Sequence, residues 1–387
     1  MDLKTDINKD LNFLAGSHIT RGFGTEGEVL AGIYIKNRLQ EFNLPSLVES
    51  FPCSKETFQI FSLYYIEFFF VLVFTFLLPI VGATYGIIVT FFYLFEIFGF
   101  VSLSKFLSDS RSQNIYTLIK NKNKVESPKI LVIHAYYDAG ISHPLYSPKI
   151  AKVFSLLQDI TLFSMLSIIV TGFWAGLNGI NPIEDKVIRI ILGLPGSYLC
   201  SYGLITLFCS TGGEATRGAN FNASGVAGAL SLTKYFSENP LKSTDVLIIF
   251  SGAHESWMAG LRHFLKKSGL PKERTLFINL EGIGCGKIHI VCKEHFILSF
   301  STSKRVRKYL ESLTKNLEIP EAKSLPHPTS SLIILANGYD SLTITGLDKE
   351  GMPSFKNQLE DKILNIDEEN IQRVVEFVKL FAEEWSR

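Results

Sequence analysis

The chain has 387 residues, of which 47% are hydrophobic and only 19% are charged, an apolar balance for a soluble protein of this length. A formal charge of +1 excludes the strongly basic surface that nucleic acids or polybasic membrane contacts require, so no nucleic-acid partner is expected. Five cysteines without a CxxC pair argue against a disulfide framework and favour a reducing compartment.

Two apolar stretches predict membrane-spanning helices. Residues 57–104 contain Glu67 and Glu96 as their only charged residues, and this length holds two spans of about 20 residues each. Residues 160–177 and 190–209 are also uncharged and are separated by a polar segment. The sequence therefore predicts two helical hairpins in a lipid bilayer, and buried core helices are the alternative.

The predicted hairpins return the chain to the side of the membrane that it left. Their bounds are taken as residues 58–104 and 153–210. The basic residues near the shared side are Lys55, Lys105, Arg111, Lys149, Lys152 and Arg217. The opposite side carries Lys186 and Arg189 beside two acids, and this imbalance predicts a cytosolic position for the soluble segments.

Two acids inside the predicted spans require an explanation, because an ionised carboxylate at membrane depth costs several kcal/mol. Glu67 and Glu96 lie at similar distances from the turn between their helices, which places them at similar depth. One hypothesis is that they face one another or a protein partner, with at least one of them protonated. The alternative is that Glu67 lies at the membrane interface.

The remaining segments alternate between strand-like and helix-like patterns, which predicts an α/β domain with a mostly parallel mixed sheet flanked by helices. This domain is assembled from residues 1–57, 105–152 and 211–387. Predicted strands cover residues 129–134, 245–250, 276–280, 288–292 and 341–345. Predicted helices cover residues 27–41, 223–236, 256–267 and 368–385. Ligand sites in such sheets form at the carboxyl ends of strands, so the residues that follow the first three strands form the candidate site.

Five segments occur in the order and at the spacing of one known family. They are ITRGFGTEGEVLAGIYIKNRLQEFNL, ILVIHAYYDAG, GANFNASGVAGAL, SGAHESWMAGLRHF and LFINLEGIG. In these segments the chain resembles the zinc aminopeptidase family that includes bacterial leucyl aminopeptidases, glutamate carboxypeptidase and the transferrin receptor. It is most similar to the bacterial branch with transmembrane helices inserted in the peptidase domain, which implies a prokaryotic cell membrane.

The resemblance implies two zinc ions held by two histidines, two terminal carboxylates and a bridging aspartate, with a glutamate as general base. The first histidine position is occupied by Tyr136, and a phenol is a poor zinc ligand at neutral pH. Phe221 occupies the position of the bridging aspartate, and its ring offers no lone pair. Asn357 or Lys356 occupies the last histidine position. The sequence therefore predicts loss of the two-zinc site and no metal cofactor.

Five other residues remain at or near the positions of the family's site. His254 matches the general base, while Glu255 and Glu281 match carboxylate ligands. Asp138 matches the residue that would orient the missing histidine. His134 lies two residues before Tyr136 and faces the same side of a strand, which makes it a weak candidate ligand.

Three functions follow from this pattern. The first is a non-catalytic binding or scaffold protein that uses the former cleft for a peptide or protein partner. The second is an active metal-dependent aminopeptidase with a rebuilt single-zinc site that draws on His254, Glu255, Glu281 and His134. The third is a transporter, which rests only on the four spans and their two buried acids.

Overall fold

The computed structural model describes residues 3–16, 20–54, 56–100, 106 and 110–387. The chain forms two compact units. The α/β unit comprises Met1–Cys53, Asp109–Ser142 and Glu214–Arg387. The helical unit comprises Ser54–Ser108 and His143–Gly213. Lys55 and Lys105, which enter the charge count for membrane orientation, lie outside the described residues.

One eight-stranded sheet forms the centre of the α/β unit. The strands of the described residues are β1 Leu47–Cys53, β2 Ser110–Ile119, β3 Lys129–Tyr136, β4 Ile141–Ser142, β5 Glu214–Ala215, β6 Thr244–Ser251, β7 Thr275–Leu280, β8 Lys287–Val291, β9 Lys293–Phe296, β10 Leu298–Ser301, β11 Glu321–Ala322 and β12 Asp340–Leu347. The large sheet has the order β1-β2-β6-β3-β7-β12-β8-β11. Its central strands β6, β3, β7 and β12 are parallel, and antiparallel pairs flank them. This confirms the predicted mostly parallel mixed sheet.

Some helices pack on the sheet of the α/β unit, and others form the helical unit. In chain order they are α1 Leu3–Leu11, α2 Glu26–Glu41, α3 Thr57–Leu77, α4 Pro79–Ile97, α5 Pro148–Ala151, α6 Phe154–Leu177, α7 Lys186–Thr211, α8 Gly225–Glu238, α9 Ala259–Ser268, α10 Lys304–Asn316, α11 Ser331–Ala336 and α12 Glu368–Ser386. The main core of the α/β unit combines apolar residues of the central strands with the buried faces of α1, α2, α8 and α12. Burial of these faces, rather than helix propensity, provides most of their stability.

Two predicted helices begin later than the sequence pattern indicates. The helix predicted from residue 256 begins at Ala259, because Ala253, Trp257 and Met258 adopt left-handed φ angles of 49°, 50° and 56°. The helix predicted from residue 223 begins at Gly225, after a π-helical turn at Ala219–Ser224. The first of these irregular turns follows β6, and the second precedes α8. Both lie at the candidate site, and unusual backbone conformations are common at functional sites.

The helical unit contains four long apolar helices, with a short connection between α3 and α4 and another between α6 and α7. Helices α3, α4, α6 and α7 contain 21, 19, 24 and 26 residues, and each is long and apolar enough to cross a membrane. The α3–α4 hairpin is closed tightly by Gly82, where a Cβ would approach the backbone nitrogen of Thr75 to 2.1 Å. Small residues allow this close approach between apolar helices, which supports the predicted membrane spans.

Both acids of the first hairpin accept hydrogen bonds from tyrosines on the neighbouring helix. The hydroxyl of Tyr85 on α4 donates to Glu67 on α3. The hydroxyl of Tyr64 on α3 donates to Glu96 on α4 at 3.2 Å. Each carboxyl thus has a neutral donor within its own hairpin, a partner that the sequence analysis did not identify.

Candidate functional site: the carboxyl edge of the central strands

Three neighbouring parallel strands end together at one edge of the sheet. The last residue of β3, Tyr136, lies opposite Ser251, the last residue of β6. Strand β7 is in register with β3, with His134 opposite Asn279. The segments that follow these strands carry most of the candidate residues, as expected for a ligand site in a parallel sheet. We call this region the cleft.

His134 lies within the sheet and both of its ring nitrogens have hydrogen-bond partners. Its Nδ1 lies 2.9 Å from Oδ1 of Asn279, and its Nε2 lies 2.8 Å from Oγ of Ser251. The side chain is fully buried, and burial lowers its pKa to about 4. A neutral imidazole that is bonded on both sides is a structural residue of the core.

Tyr136 and His254 form a stacked aromatic pair in the cleft. Their ring centroids are 3.6 Å apart and the planes are 7° from parallel. Burial, followed by the nearby carboxylates, raises the pKa of Tyr136. Burial and the charge of Lys356 lower the pKa of His254. Tyr136 therefore remains a phenol and His254 remains neutral at pH 7.

Asp138 holds the turn that follows β6. Its two carboxylate oxygens accept hydrogen bonds from the backbone N–H groups of His254 at 2.8 Å and Glu255 at 3.1 Å. The family resemblance implies that Asp138 would orient a histidine ligand. Because Tyr136 occupies that position, the carboxylate of Asp138 instead fixes the backbone that presents His254 and Glu255.

Phe221 places an aromatic ring where the resemblance implies a bridging aspartate. Its π-helical turn is held by Asp361, which accepts hydrogen bonds from the backbone N–H groups of Asn220 at 2.5 Å and Phe221 at 3.1 Å. The ring centroid of Phe221 lies 6.0 Å from that of Tyr136. Two aromatic rings thus occupy the wall of the cleft.

Glu255 interacts with an amide. The Nδ2 of Asn357 donates to Oε2 of Glu255 at 2.7 Å, and both residues are buried. Asn357 fits closely against the backbone at Gly140, because a Cβ at that glycine would lie 2.5 Å from its Oδ1. Of the two residues that could occupy the last histidine position, Asn357 is therefore the one that contacts the surviving carboxylate.

Glu281 has a backbone partner and a second buried acid nearby. Its Oε1 accepts a hydrogen bond from the N–H of Ser330 at 2.8 Å, and burial raises its pKa. Glu294, on β9, accepts a hydrogen bond from Oγ1 of Thr329 at 2.5 Å. Burial raises the pKa of Glu294 to about 8. No sequence motif indicates Glu294, because it lies outside the five family-like segments.

Lys356 is a partly exposed residue of the cleft region. Its Nζ is 4.9 Å from the centroid of the Phe221 ring, within the range of a cation–π contact. Burial lowers the pKa of Lys356, and the charges of Glu255, Glu281 and Glu294 act in the opposite direction. The charged form of Lys356 is thus disfavoured by burial and favoured by the nearby carboxylates, and burial is the larger of these effects.

Several buried polar atoms of the cleft region have no hydrogen-bond partner among the described residues. They are the hydroxyl of Tyr136, Nδ1 of His254, Oγ of Ser256 and Oγ of Ser330. Leaving such a group unsatisfied costs about 1–3 kcal/mol. Within the described part of the chain, no three His, Cys, Asp or Glu side chains are arranged to hold a metal ion.

Residues 206–382 match the family model described as Peptidase family M28. The chain carries an M28-like peptidase domain. This match confirms the resemblance that the five sequence segments indicate. It leaves open the chemistry of the M28-like cleft, because one fold can host several functions.

Solved structures show the same fold as this M28-like chain. A Zn-dependent exopeptidase from Parabacteroides distasonis superposes with a TM-score of 0.56 at 14% identity, covering 100% of this chain and 97% of that chain. A glutaminyl cyclase from Bacteroides thetaiotaomicron gives a TM-score of 0.53 at 13% identity, covering 98% and 96%. At these identities the similarity establishes the fold alone.

A curated relative combines similarity in sequence with a membrane location. A vacuolar membrane protease of Schizosaccharomyces japonicus is 41% identical over 69 residues, which is 18% of this chain. The match covers only 8% of the length of that relative. Together with the four candidate spans, it supports a membrane location for the M28-like chain.

Proposed function

We propose that this chain is a membrane-anchored, non-catalytic M28-like protein whose former metal cleft binds a peptide or protein partner. The observation that carries the proposal is the contact between Asn357 and Glu255. The amide Nδ2 of Asn357 donates to Oε2 of Glu255 at 2.7 Å, so one oxygen of this potential metal ligand is hydrogen-bonded to an uncharged donor.

The residues of the cleft do not fit the two-zinc site that the family resemblance implies. Zinc sites use imidazole, thiolate and carboxylate donors, and catalytic sites usually have three protein ligands. Tyr136 is a buried phenol with a raised pKa, and the Phe221 ring has no donor atom. Glu281 is engaged with the N–H of Ser330. We therefore derive no hydrolytic step through a metal ion.

A binding role is supported by the polar atoms of the cleft that have no partner among the described residues. Tyr136, His254 and Ser330 each present such an atom. A ligand with both donors and acceptors, such as a peptide backbone, would satisfy them at the carboxyl edge of the sheet. The buried Asp138 and Asp361 hold the surrounding turns, which favours a preformed site.

The proposed orientation places the α/β unit in the cytosol of a prokaryotic cell. The orientation rests on the excess of lysine and arginine beside the ends of the spans that lead to the soluble segments. The prokaryotic membrane rests on the resemblance to bacterial proteins with inserted transmembrane helices.

A second candidate is an active metal-dependent aminopeptidase with one zinc ion. The observation that favours it is the presence of Glu255 and Glu281 in one cleft, and the similarity to a vacuolar membrane protease agrees with it. His134, which the sequence analysis offers as a nitrogen ligand, contributes nothing here, because Asn279 and Ser251 occupy both ring nitrogens.

Metal content and hydrolysis together distinguish the two candidates. The detergent-purified full chain would be dialysed against zinc and measured by elemental mass spectrometry beside a Glu255→Ala, Glu281→Ala double variant. Both would also be assayed on aminoacyl chromogenic substrates. The proposal predicts less than about a tenth of an equivalent of zinc in both proteins, and no hydrolysis, since too few ligands are present. Stoichiometric zinc and turnover that disappear in the double variant would establish the peptidase instead.

A further inference from the structure

Glu67 lies in the middle of α3, at the surface of the helical unit. It is the eleventh of the 21 residues of this helix, so ten residues separate it from each end. At a rise of about 1.5 Å per residue, each end of α3 is about 15 Å away, which is half the thickness of a bilayer core. A glutamate side chain is too short to reach water over that distance. Glu67 is nevertheless partly exposed.

The two acids of the first hairpin differ in burial. Glu96 is fully buried and accepts a hydrogen bond from Tyr64. Glu67 accepts its hydrogen bond from Tyr85 through Oε1, and both members of this pair are partly exposed. The other oxygen of Glu67, Oε2, has no hydrogen-bond donor among the described residues. One half of this carboxyl is therefore left for a group outside the helical unit.

The surface around the Glu67–Tyr85 pair is apolar. Phe70 and Phe74 lie one and two helical turns beyond Glu67 on the same side of α3, and they are 49% and 43% exposed. The ring of Phe74 meets that of Tyr85 edge to face, with the centroids 6.1 Å apart, so the two helices share one continuous surface. We call this surface the acid face, and its members are Glu67, Phe70, Phe74, Val81, Tyr85 and Ile88.

Lipid can cover the apolar side chains of the acid face but cannot satisfy its carboxyl group. Acyl chains offer no hydrogen-bond partner, so a carboxyl at this depth is costly unless protein supplies one. The chain has no cation to place there. Helices α3, α4 and α6 contain no lysine or arginine, and the two basic residues of α7 lie within its first four residues. The acid face therefore favours a protein partner over lipid.

A second copy of the chain has the chemistry and the symmetry that this position requires. A protonated carboxyl group both donates and accepts a hydrogen bond, so two such groups complement each other. Two copies that associate side by side in one membrane are related by a two-fold axis along the membrane normal, which brings each residue to the same depth in both copies. Glu67 of one copy then meets Glu67 of the other, and each retains the hydrogen bond from its own Tyr85.

We propose that the acid face is the contact surface of a homodimer in the membrane, in which the two Glu67 carboxyl groups are protonated and hydrogen-bond to each other. The apolar side chains of the acid face pack around this central polar contact, an arrangement in which polar groups fix the register of membrane helices. The inference concerns the helical unit alone, so it can fail while the proposed function of the cleft stands.

Energy transfer between fluorescently labelled copies of the full chain in liposomes tests the inference. Copies carrying donor and acceptor dyes are mixed and reconstituted at decreasing ratios of protein to lipid, which gives a dissociation constant in the bilayer. Glu67→Leu removes the carboxyl and should weaken association by about tenfold or more. Glu67→Gln keeps a group that both donates and accepts, so it should retain association. Phe163→Leu, at a position on α6 that is 72% exposed, is the matched control and should change nothing.

Three outcomes overturn the inference. The first is a native chain that stays monomeric at every ratio of protein to lipid, and the second is a Glu67→Leu variant that associates as tightly as the native chain. The third is a Glu67→Gln variant that loses association as fully as Glu67→Leu, because the contact would then require an ionised carboxylate. If circular dichroism shows that Glu67→Leu fails to fold, the native chain and Glu67→Gln still decide, since the inference requires both to associate.

Discussion

The two units of this protein bury acidic side chains in different ways. In the helical unit, Glu67 and Glu96 each accept a hydrogen bond from a tyrosine of the neighbouring helix. In the α/β unit, Glu255 and Glu281 accept hydrogen bonds from an amide and a backbone N–H, and both carboxylates favour the charged form of Lys356, which burial disfavours. The described donors in the helical unit are tyrosine hydroxyls, whereas those in the cleft are an amide and a backbone N–H.

This difference shows what each environment demands. A neutral hydroxyl gives a carboxyl one hydrogen bond without adding a second charge to an apolar helix bundle, where charge is expensive. A cleft that retains several acids close together requires a counter-charge or the protonation of some of them, because like charges repel at short distance. In the cleft, the raised pKa of Glu294 shows the second of these effects.

Among the variants that test this difference between the two units, the largest effect on stability is expected at Glu294. Its pKa in the folded chain is about 8, against an ordinary value of 4.5, because it is buried. The folded state therefore holds a proton that the unfolded chain releases, and Glu294 lowers stability as the pH rises from about 4.5 to about 8. Glu294→Gln should remove this loss, which we expect to reach a few kcal/mol at pH 8.

The measurement is the free energy of unfolding of the α/β unit from pH 5 to pH 8, followed by tryptophan fluorescence. Glu311→Gln, at an exposed position on α10, provides the control and should follow the native curve. Parallel curves for the native chain and Glu294→Gln would show that Glu294 is ionised throughout and that the cleft contains a third charged acid.

The smallest effect is expected at the tyrosine–acid pairs of the helical unit. Tyr85→Phe removes the hydroxyl that donates to Glu67 and should cost about 1 kcal/mol, the usual magnitude of a hydrogen bond between membrane helices. Glu67→Gln keeps an acceptor and should cost less. Detergent-induced unfolding of the helices measures both. A loss above roughly 3 kcal/mol in Tyr85→Phe would place Glu67 in the same class as the acids of the cleft.

Much of the fold can be predicted from hydrophobic patterns in the sequence. Strands β3, β6 and β7 are runs of buried apolar residues, and each was predicted within two residues of its observed bounds. The four apolar helices are recognisable from length and the absence of charge. The edge strand β1 and its neighbour β2 were missed because LVESFPC and SRSQNIYTLI mix polar and apolar residues without a clear period.

The cleft was less predictable, because its features depend on contacts between distant segments. The left-handed conformations of Trp257 and Met258 are not favoured by their residue types, so the late start of α9 had no local signal. Strand periodicity identified the side that His134 faces but not its bonds to Asn279 and Ser251. Lys356 and Asn357 could both be named from the sequence. Only the folded structure shows that Asn357 donates a hydrogen bond to Glu255, and that Lys356 is the residue whose charged form the carboxylates favour.

The central claim is that the former metal cleft of this chain binds no zinc. The most direct test is an anomalous difference map at the zinc absorption edge, from crystals of the full chain grown with excess zinc. The account predicts no peak between Glu255 and Glu281. A peak about 2.0–2.2 Å from oxygens of both glutamates would contradict it.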